Sequence, residues 1–456
     1  MRLEIVFATI PNMLGHLNPL LPYAEELLRR GHSITFFHGK DPKYRKKIED
    51  SGISACRSVT YDDNLYDVIK DYYQNSSSSF PGIIVYDFFA VDAADAADFL
   101  DVPAVSVFPN MAVTINPWAS AHTSSLLWKA WCNTVIPVSE GILARVLLWK
   151  RNKTRKERKL SMLIEQDIYP TRYQAKKTAT GKPRLTIGCT SPQLEFNSVS
   201  ELENDIFTMV GPALTSRVEP ISTDLDRWLG VQSKHGRSIV YVAFGSGYKY
   251  TPKIVQALEK ELLKRGNNVA FLWSLQENYQ AYLVQKEKNE ESDLSTSTHA
   301  DYHHLRVESY FSQVALFRTG KIDAFVTHCG SNSVYEALLS GIPMVCCPRT
   351  ADQPGNAVRL VKKGVGVIAR NGIVGVGAAL DHLLENFEDM KTKSDDLSQV
   401  LRSGEGGAKK AASVIEGIAH RSTSTSSLSM EQVGNTKRRM PLRLFNFFLK
   451  KKSIPY

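Results

Sequence analysis

Hydrophobic positions in the first third of the chain fall in short unbroken runs, each followed by a stretch with helical spacing. Leu3–Ile10 is the first run and reads as a strand covered on both faces. Asn18-Pro19 then opens a helix, with Asn18 as N-cap and Pro19 as the first helical residue; it runs to Arg30 and stops at Gly31. Ser33–Phe37, Ile83–Tyr86 and Pro103–Phe108 are further strands, and Pro42–Asp50 and the Ala/Asp-rich Ala90–Leu100 are helices. Such alternation predicts a parallel sheet with helices on both faces.

Over residues 117–180 the pattern gives way to aromatic and apolar patches, Leu126–Trp131 and Ile142–Trp149, and then to a basic run. Lys150–Lys159 holds seven basic residues and one acid. A solvated helix face is the simpler reading, and a membrane-facing amphipathic helix the other. Alternation breaks at Gly211-Pro212 and then resumes. Ile239–Phe244, Val269–Trp273, Ala324–Thr327, Met344–Cys347 and Gly366–Ala369 read as strands. Pro252–Arg265, Ser333–Leu339, Gln353–Lys362 and Gly375–Leu401 read as helices, Lys286–His299 as a surface loop, and Ala408–Ala419 as a last short helix. The expected fold class is α/β, with two doubly wound Rossmann-like domains facing across a cleft. Residues 1–211 form the first domain, 212–228 a linker and 229–405 the second domain. Residues 406–420 form a terminal helix and 421–456 a disordered tail.

Length and composition agree with two globular domains: 456 residues, 43% hydrophobic and 23% charged. The net charge of +9 would suggest nucleic-acid binding if it were spread over the body, but eight basic residues and one acid lie in the tail beyond residue 420. The six cysteines are scattered and form no CxxC, which excludes a disulfide framework and a zinc ribbon and fits a reducing compartment. Residues 2–10 read as a strand rather than a secretory signal. The longest charge-free run, Val102 to Trp128, is broken by Pro103, Pro109 and Pro117 and does not read as a membrane span.

In doubly wound domains ligands bind at the carboxyl ends of the strands, so the residues just past each strand are the candidates. After the first strand, Gly15 alone does not make the GxGxxG of a dinucleotide site. His16 stands there instead. By position it reads most simply as a surface histidine at a helix start, and Asp87, after the third strand, as the N-cap of the helix from Ala90. As a pair on adjacent strands they make a base and the carboxylate that orients it. In the second domain, Thr327-His328-Cys329-Gly330-Ser331-Asn332-Ser333 is a strand end, a tight turn and a helix start. Gly330 permits close backbone approach, Asn332 and Ser333 bring donors and free helix amides, and His328 can donate to a phosphate. Glu336 can accept from a ribose diol, and Asp352-Gln353 suits sugar hydroxyls. Tyr310-Phe311-Ser312-Gln313 offers a ring for a base to stack on. These segments, at successive strand ends, outline a nucleotide-sugar site.

Tyr310–Gln353 resembles the signature box of the family 1 UDP-dependent glycosyltransferases, whose fold is GT-B. The box has the form W-x-x-Q, then H-x-G-x-N-S-x-x-E fifteen residues on, then (D/E)-Q. Here Gln313 and His328 are 15 apart and the ending is Asp352-Gln353. Gly15-His16-Leu17-Asn18-Pro19, Val242-Ala243-Phe244-Gly245-Ser246 and Glu405-Gly406-Gly407 are similar to the family as well, so the resemblance covers roughly residues 1–420. Tyr310 replaces the opening Trp, and Ser331 stands where plant members usually have a second Trp. The resemblance implies that Tyr310 stacks on uracil, the Phe311 backbone bonds its edge, and Gln313 and Glu336 hold the ribose. It gives the diphosphate to Ser246, His328, Asn332 and Ser333, the sugar to Asp352 and Gln353, and the roles of base and partner to His16 and Asp87.

The expected reaction is a single inverting displacement that moves a hexose, glucose or a similar neutral sugar, from a UDP-sugar to a hydroxyl of a small lipophilic acceptor. No metal or other cofactor is expected: Asp224-Leu225-Asp226 spells DxD but reads as a helix start in the linker. Two alternatives stay open, a non-catalytic nucleotide-sugar-binding protein and a UDP-sugar epimerase or hydrolase. The expected protein is a cytoplasmic monomer with no nucleic-acid partner. Its basic tail, where Lys437-Arg438-Arg439 and Lys450-Lys451-Lys452 flank bulky apolar residues, either meets an anionic membrane surface or only solubilises the chain.

Overall fold

A computed structural model describes residues 2–10, 14–60, 63–75, 80–109, 149–160, 184–195, 207–245, 247–265, 268–284, 304–349, 352–370, 372–403 and 406–430. Its two sheets are wholly parallel. The first has seven strands: β1 (Glu4–Ala8), β2 (Ser33–Gly39), β3 (Cys56–Val59), β4 (Ile83–Asp87), β5 (Ala104–Phe108), β6 (Arg184–Gly188) and β7 (Phe207–Met209). Their spatial order is β3-β2-β1-β4-β5-β6-β7. The second comprises β8 (Ser238–Ala243), β9 (Val269–Ser274), β10 (Leu305–Glu308), β11 (Ala324–Thr327), β12 (Met344–Cys346) and β13 (Gly366–Ile368), in the order β10-β9-β8-β11-β12-β13. Both orders reverse next to a central strand, at β1/β4 and at β8/β11, which opens a crevice at the carboxyl ends.

The apolar runs are unbroken because both faces of each sheet are covered. Ile5, Phe7, Val85 and Val105 face one way, while Val6, Ala8, Ile84 and Tyr86 face the other, all buried. In the second sheet Ile239, Tyr241 and Phe325 oppose Val240, Val242 and Val326. One buried cluster runs continuously from the first sheet to the second through Leu194, Val210 and Trp228. The helix Gly406–Met430 packs against the first domain: Ala411, Ile415 and Ile418 are buried, and Glu416 binds Arg30 Nη1 at 2.7 Å and His32 Nε2 at 2.8 Å.

Several local expectations need correction. Asn18 caps no helix. Leu14–Leu17 forms one short turn, the next helix is Leu21–Arg29, and the Asn18 amide oxygen instead accepts from Lys47 Nζ at 3.1 Å. The segment 375–401 is two helices, Val376–Glu385 and Phe387–Arg402, separated at Asn386. Sequence analysis passed over β3, β6, β7 and β10, which are only three to five residues long. The basic run is a solvated face only at its lysines. Arg151 and Arg155, on one side of a helix over 149–157, and Arg158, in the turn that follows, point inward onto Asp92, Asp95 and Asp98 of the helix Val91–Leu100. Arg155 and Asp95 are fully buried against one another. The four lysines, Lys150, Lys153, Lys156 and Lys159, remain outside. Asp224 and Asp226 do open a helix, Thr223–Lys234, capped by Ser222 Oγ on Leu225 N at 3.2 Å. Lys286–His299 and most of the basic tail lie outside the described residues. Among the described residues no helix is long and apolar enough to cross a membrane.

Candidate functional site

The two switch points carry the predicted residues. β1 and β4 are neighbours with Ala8 opposite Tyr86, so the chain leaving β1 passes beside Asp87, the last residue of β4. The short helix Leu14–Leu17 then returns His16 over that strand end. His16 Nδ1 lies 2.8 Å from Asp87 Oδ2, with 13% of the imidazole and 1% of the carboxylate exposed. Asp87 Oδ1 accepts from Phe89 N at 2.9 Å, so both carboxylate oxygens are engaged. This arrangement places the proton of neutral His16 on Nδ1 and leaves Nε2 as the basic nitrogen. Phe89 stands edge-on to the imidazole at 5.1 Å, and Phe88 and Phe108 extend the aromatic wall.

Facing this pair, β11 ends in the turn His328-Cys329-Gly330 and the helix Ser331–Leu339 begins. The turn is tight: Cys329 has φ 64°, a left-handed conformation unusual for a residue with a side chain. The His328 imidazole lies between two glycines. A Cβ at Gly330 would sit 2.6 Å from Nε2, and one at Gly245 2.9 Å from Cε1. Burial pushes His328 down to about 4, against the opposing pull of Asp352. It is therefore neutral near pH 7 and offers an N–H rather than a full charge, a refinement of the expectation from sequence. Ser246, beyond Gly245, lies outside the described residues.

Gln313 Nε2 donates to Glu336 Oε2 at 2.6 Å, which joins the two residues expected at the ribose. Glu336 is half-buried as a residue, but its carboxyl is held away from water, which pushes it up to about 7, with Gln313 and Lys47 pulling the other way. Tyr310 is 72% exposed, and Phe311 packs on Tyr241 at 5.4 Å. Asp352 Oδ2 accepts from Ser331 N at 3.1 Å and Ser331 Oγ at 2.7 Å, while Gln353 Oε1 accepts from Arg349 N at 2.9 Å. The half-buried Ser333 is in the first turn of its helix. Asn332 Nδ2 donates across the cleft to Gly15 O at 2.8 Å, one residue from His16. The structure thus brings the His16–Asp87 pair, the helix start and the Asp352 turn to one place.

Three features escaped sequence analysis. Lys47, from the first domain, lies near Glu336 and is pushed down by burial. Glu195 and Arg359 form an almost fully buried ion pair between the domains at 2.8 Å. Asn356 joins Asp352 to the Cys329 turn. Only the last left a signal, since position 356 is one helical turn past Asp352.

The family model described as "UDP-glucoronosyl and UDP-glucosyl transferase" matches residues 205–399. Anthocyanidin 3-O-glucosyltransferase 2 of Fragaria ananassa is 35% identical over 175 residues, 37% of this chain and 34% of that protein. UDP-glycosyltransferase 74C1 of Arabidopsis thaliana is 25% identical over 410 residues, 78% of this chain and 82% of that protein. In other relatives too the aligned stretch is under half of their own length, at 47% and 36%. Among solved structures, UDP-glucose: anthocyanidin 3-O-glucosyltransferase in complex with UDP superposes with a TM-score of 0.62 at 20% identity, covering 92% of this chain and 100% of that one. The two facing parallel sheets are accordingly the GT-B fold, and residues 205–399 carry the match to the UDP-glucosyl and UDP-glucuronosyl transferase family.

Proposed function

We propose that this protein transfers a hexose from a UDP-sugar to a hydroxyl of a small, lipophilic acceptor, with inversion at the anomeric carbon and without a metal ion. The observation that carries the proposal is the His16–Asp87 pair at 2.8 Å, tied across the cleft to the helix start by Asn332 and Gly15. An alcohol is a weak nucleophile at neutral pH. His16 Nε2 takes the hydroxyl proton as the oxygen attacks, and the Asp87 carboxylate stabilises the imidazolium. The new C–O bond forms as the bond from the anomeric carbon to the β-phosphate oxygen breaks, and its electron pair leaves with UDP. The charge on UDP is met by the free amides at the start of the helix Ser331–Leu339 and by the N–H of neutral His328. Backside attack in one step inverts the centre, and no step requires a metal.

In this reading Tyr310 stacks on uracil, the Phe311 backbone bonds its edge, and Gln313 with Glu336 holds the ribose diol. His328, Gly330, Asn332, Ser333 and Ser246 take the diphosphate. Ser331, Asp352 and Gln353 face the hexose. Phe88, Phe89 and Phe108 beside His16 give the acceptor an apolar wall, which supports a flat lipophilic alcohol or phenol. The anthocyanidin acceptors in the names of the relatives point the same way. The described cysteines Cys56, Cys189, Cys329, Cys346 and Cys347 are free and buried, which supports a reducing, cytoplasmic setting. The test is a product analysis. The protein is incubated with UDP-sugars and a pool of phenols and sterols under chelator, and the anomeric configuration of any glycoside is read by NMR. An inverted glycoside formed under chelator is expected. A retained one, or a requirement for added metal, would overturn the mechanism.

A further inference from the structure

Asn356 is fully buried in the helix Gln353–Lys362. Its Nδ2 donates to Cys329 O at 2.9 Å, Ser331 Oγ at 3.1 Å and Asp352 Oδ2 at 2.8 Å. Two of these acceptors are a carbonyl and a carboxylate, so the amide orientation is fixed by chemistry. Its Oδ1 is buried with no hydrogen-bond partner, an unfavourable arrangement that the two N–H groups on the other side, one shared between two acceptors, offset. The acceptors belong to two separate segments. Cys329 and Ser331 form the turn after β11, where Cys329 holds its left-handed backbone, and Asp352 precedes the helix that carries Asn356. Ser331 adds its own N and Oγ to the same oxygen, so Asp352 Oδ2 receives three donors and none of these bonds reaches Oδ1.

We propose that Asn356 is a positioning residue for donor recognition, a buried clamp that sets the spacing between the turn facing the diphosphate and the carboxylate facing the hexose. The inference rests on reading this cleft as a UDP-sugar site. Few side chains fit the role. Serine is too short to span from Asp352 to Cys329 O, and aspartate would bring a second negative charge to Asp352 and no N–H. The titratable groups around Asp352 and the turn are His328, Cys329, Cys346 and Cys347, and Arg359, on the same helix as Asn356, is turned to Glu195.

The test compares the native chain with Asn356→Asp and Asn356→Ala. Calorimetry measures the affinity for UDP and for whichever of UDP-glucose, UDP-galactose, UDP-glucuronate and UDP-N-acetylglucosamine the native chain binds most tightly. The readout is the ratio of the two affinities, taken relative to the native chain at the same pH, so that groups that touch only the UDP moiety and the titration of UDP's own terminal phosphate cancel. For Asn356→Asp at about pH 8 the ratio is expected to fall tenfold or more, roughly the effect of losing a hydrogen bond to a charged group. It should recover in part near pH 5.5, where the two carboxylates share a proton. Asn356→Ala should lower the ratio equally at both pH values. If Asn356→Asp keeps the native ratio at pH 8, or loses both ligands in parallel with a lowered Tm, Asn356 has only a structural role and the inference is wrong. A native chain that binds neither ligand would overturn the donor reading itself, and this inference with it.

Discussion

Glu336 makes donor binding depend on pH in a direction that can be worked out. Its carboxyl is pushed up to about 7 by desolvation, so at pH 7 about half of the free protein carries it protonated. A ribose diol offers two O–H donors, which a carboxylate accepts better than a carboxylic acid. Binding then favours the ionised form and pulls its pKa back toward the ordinary value near 4.3. With about 7 in the free protein and 5 or lower in the complex, linkage predicts donor affinity roughly tenfold weaker at pH 6 than at pH 8. Binding at pH 7 should also release about half a proton. The ligand should be a UDP-sugar rather than UDP, whose terminal phosphate itself titrates near pH 6 (roughly as a phosphomonoester does). Calorimetry in two buffers of different ionisation enthalpy gives both affinity and proton release. His328, pushed down to about 4, stays neutral across this range and adds no slope. Glu336→Gln should bind more weakly at pH 8 and show no proton release. A slope that survives in Glu336→Gln would assign it to another group and refute the reasoning.

The dyad and the histidine cradle make sharper predictions. Asp87→Asn keeps the shape of the residue but removes the charge beside His16, so kcat should fall by roughly 10³ to 10⁴ with UDP affinity unchanged; a loss below tenfold would dismiss Asp87 as the partner. Gly330→Ala puts a Cβ 2.6 Å from His328 Nε2 and must displace the ring, so UDP affinity should fall while Tm changes little; unchanged calorimetric affinity would remove His328 from the diphosphate site. Tyr310→Ala removes an exposed stacking ring and should weaken UDP by about 1–3 kcal/mol, whereas Tyr310→Trp should match or exceed the native affinity.

Much of the site was legible because its residues sit where unbroken apolar strands stop. β1, β4, β8 and β11 announce themselves by burial on both faces; Asp87 ends β4, His328 and Gly245 come within two residues of β11 and β8, and His16 lies in the first turn after β1. What failed has physical causes. Asn18-Pro19 has the form of a cap, but the Asn18 amide is taken by Lys47 from another helix, a contact local sequence cannot reveal. The basic run was misjudged because a charge count carries no direction. Positions 151 and 155 share one helix face, with 158 in the turn just past it, and Asp92, Asp95 and Asp98 share another; the two spacings match only once the helices are known to meet. Glu195 with Arg359 and Asn332 with Gly15 join residues more than 150 positions apart, and nothing local marks them. Asn356 had a visible spacing to Asp352, but its other partners come from the turn after β11.

The central claim is that His16 activates an acceptor hydroxyl for attack on a bound UDP-sugar. The most direct measurement is UDP release from a panel of UDP-sugars, with and without a mixed pool of phenols and sterols, for the native chain and for His16→Ala under chelator. The account predicts acceptor-dependent release by the native chain, its loss in His16→Ala by at least about 10², and equal UDP-sugar affinity in the two proteins. Release that needs no acceptor, or that continues undiminished in His16→Ala, would contradict it.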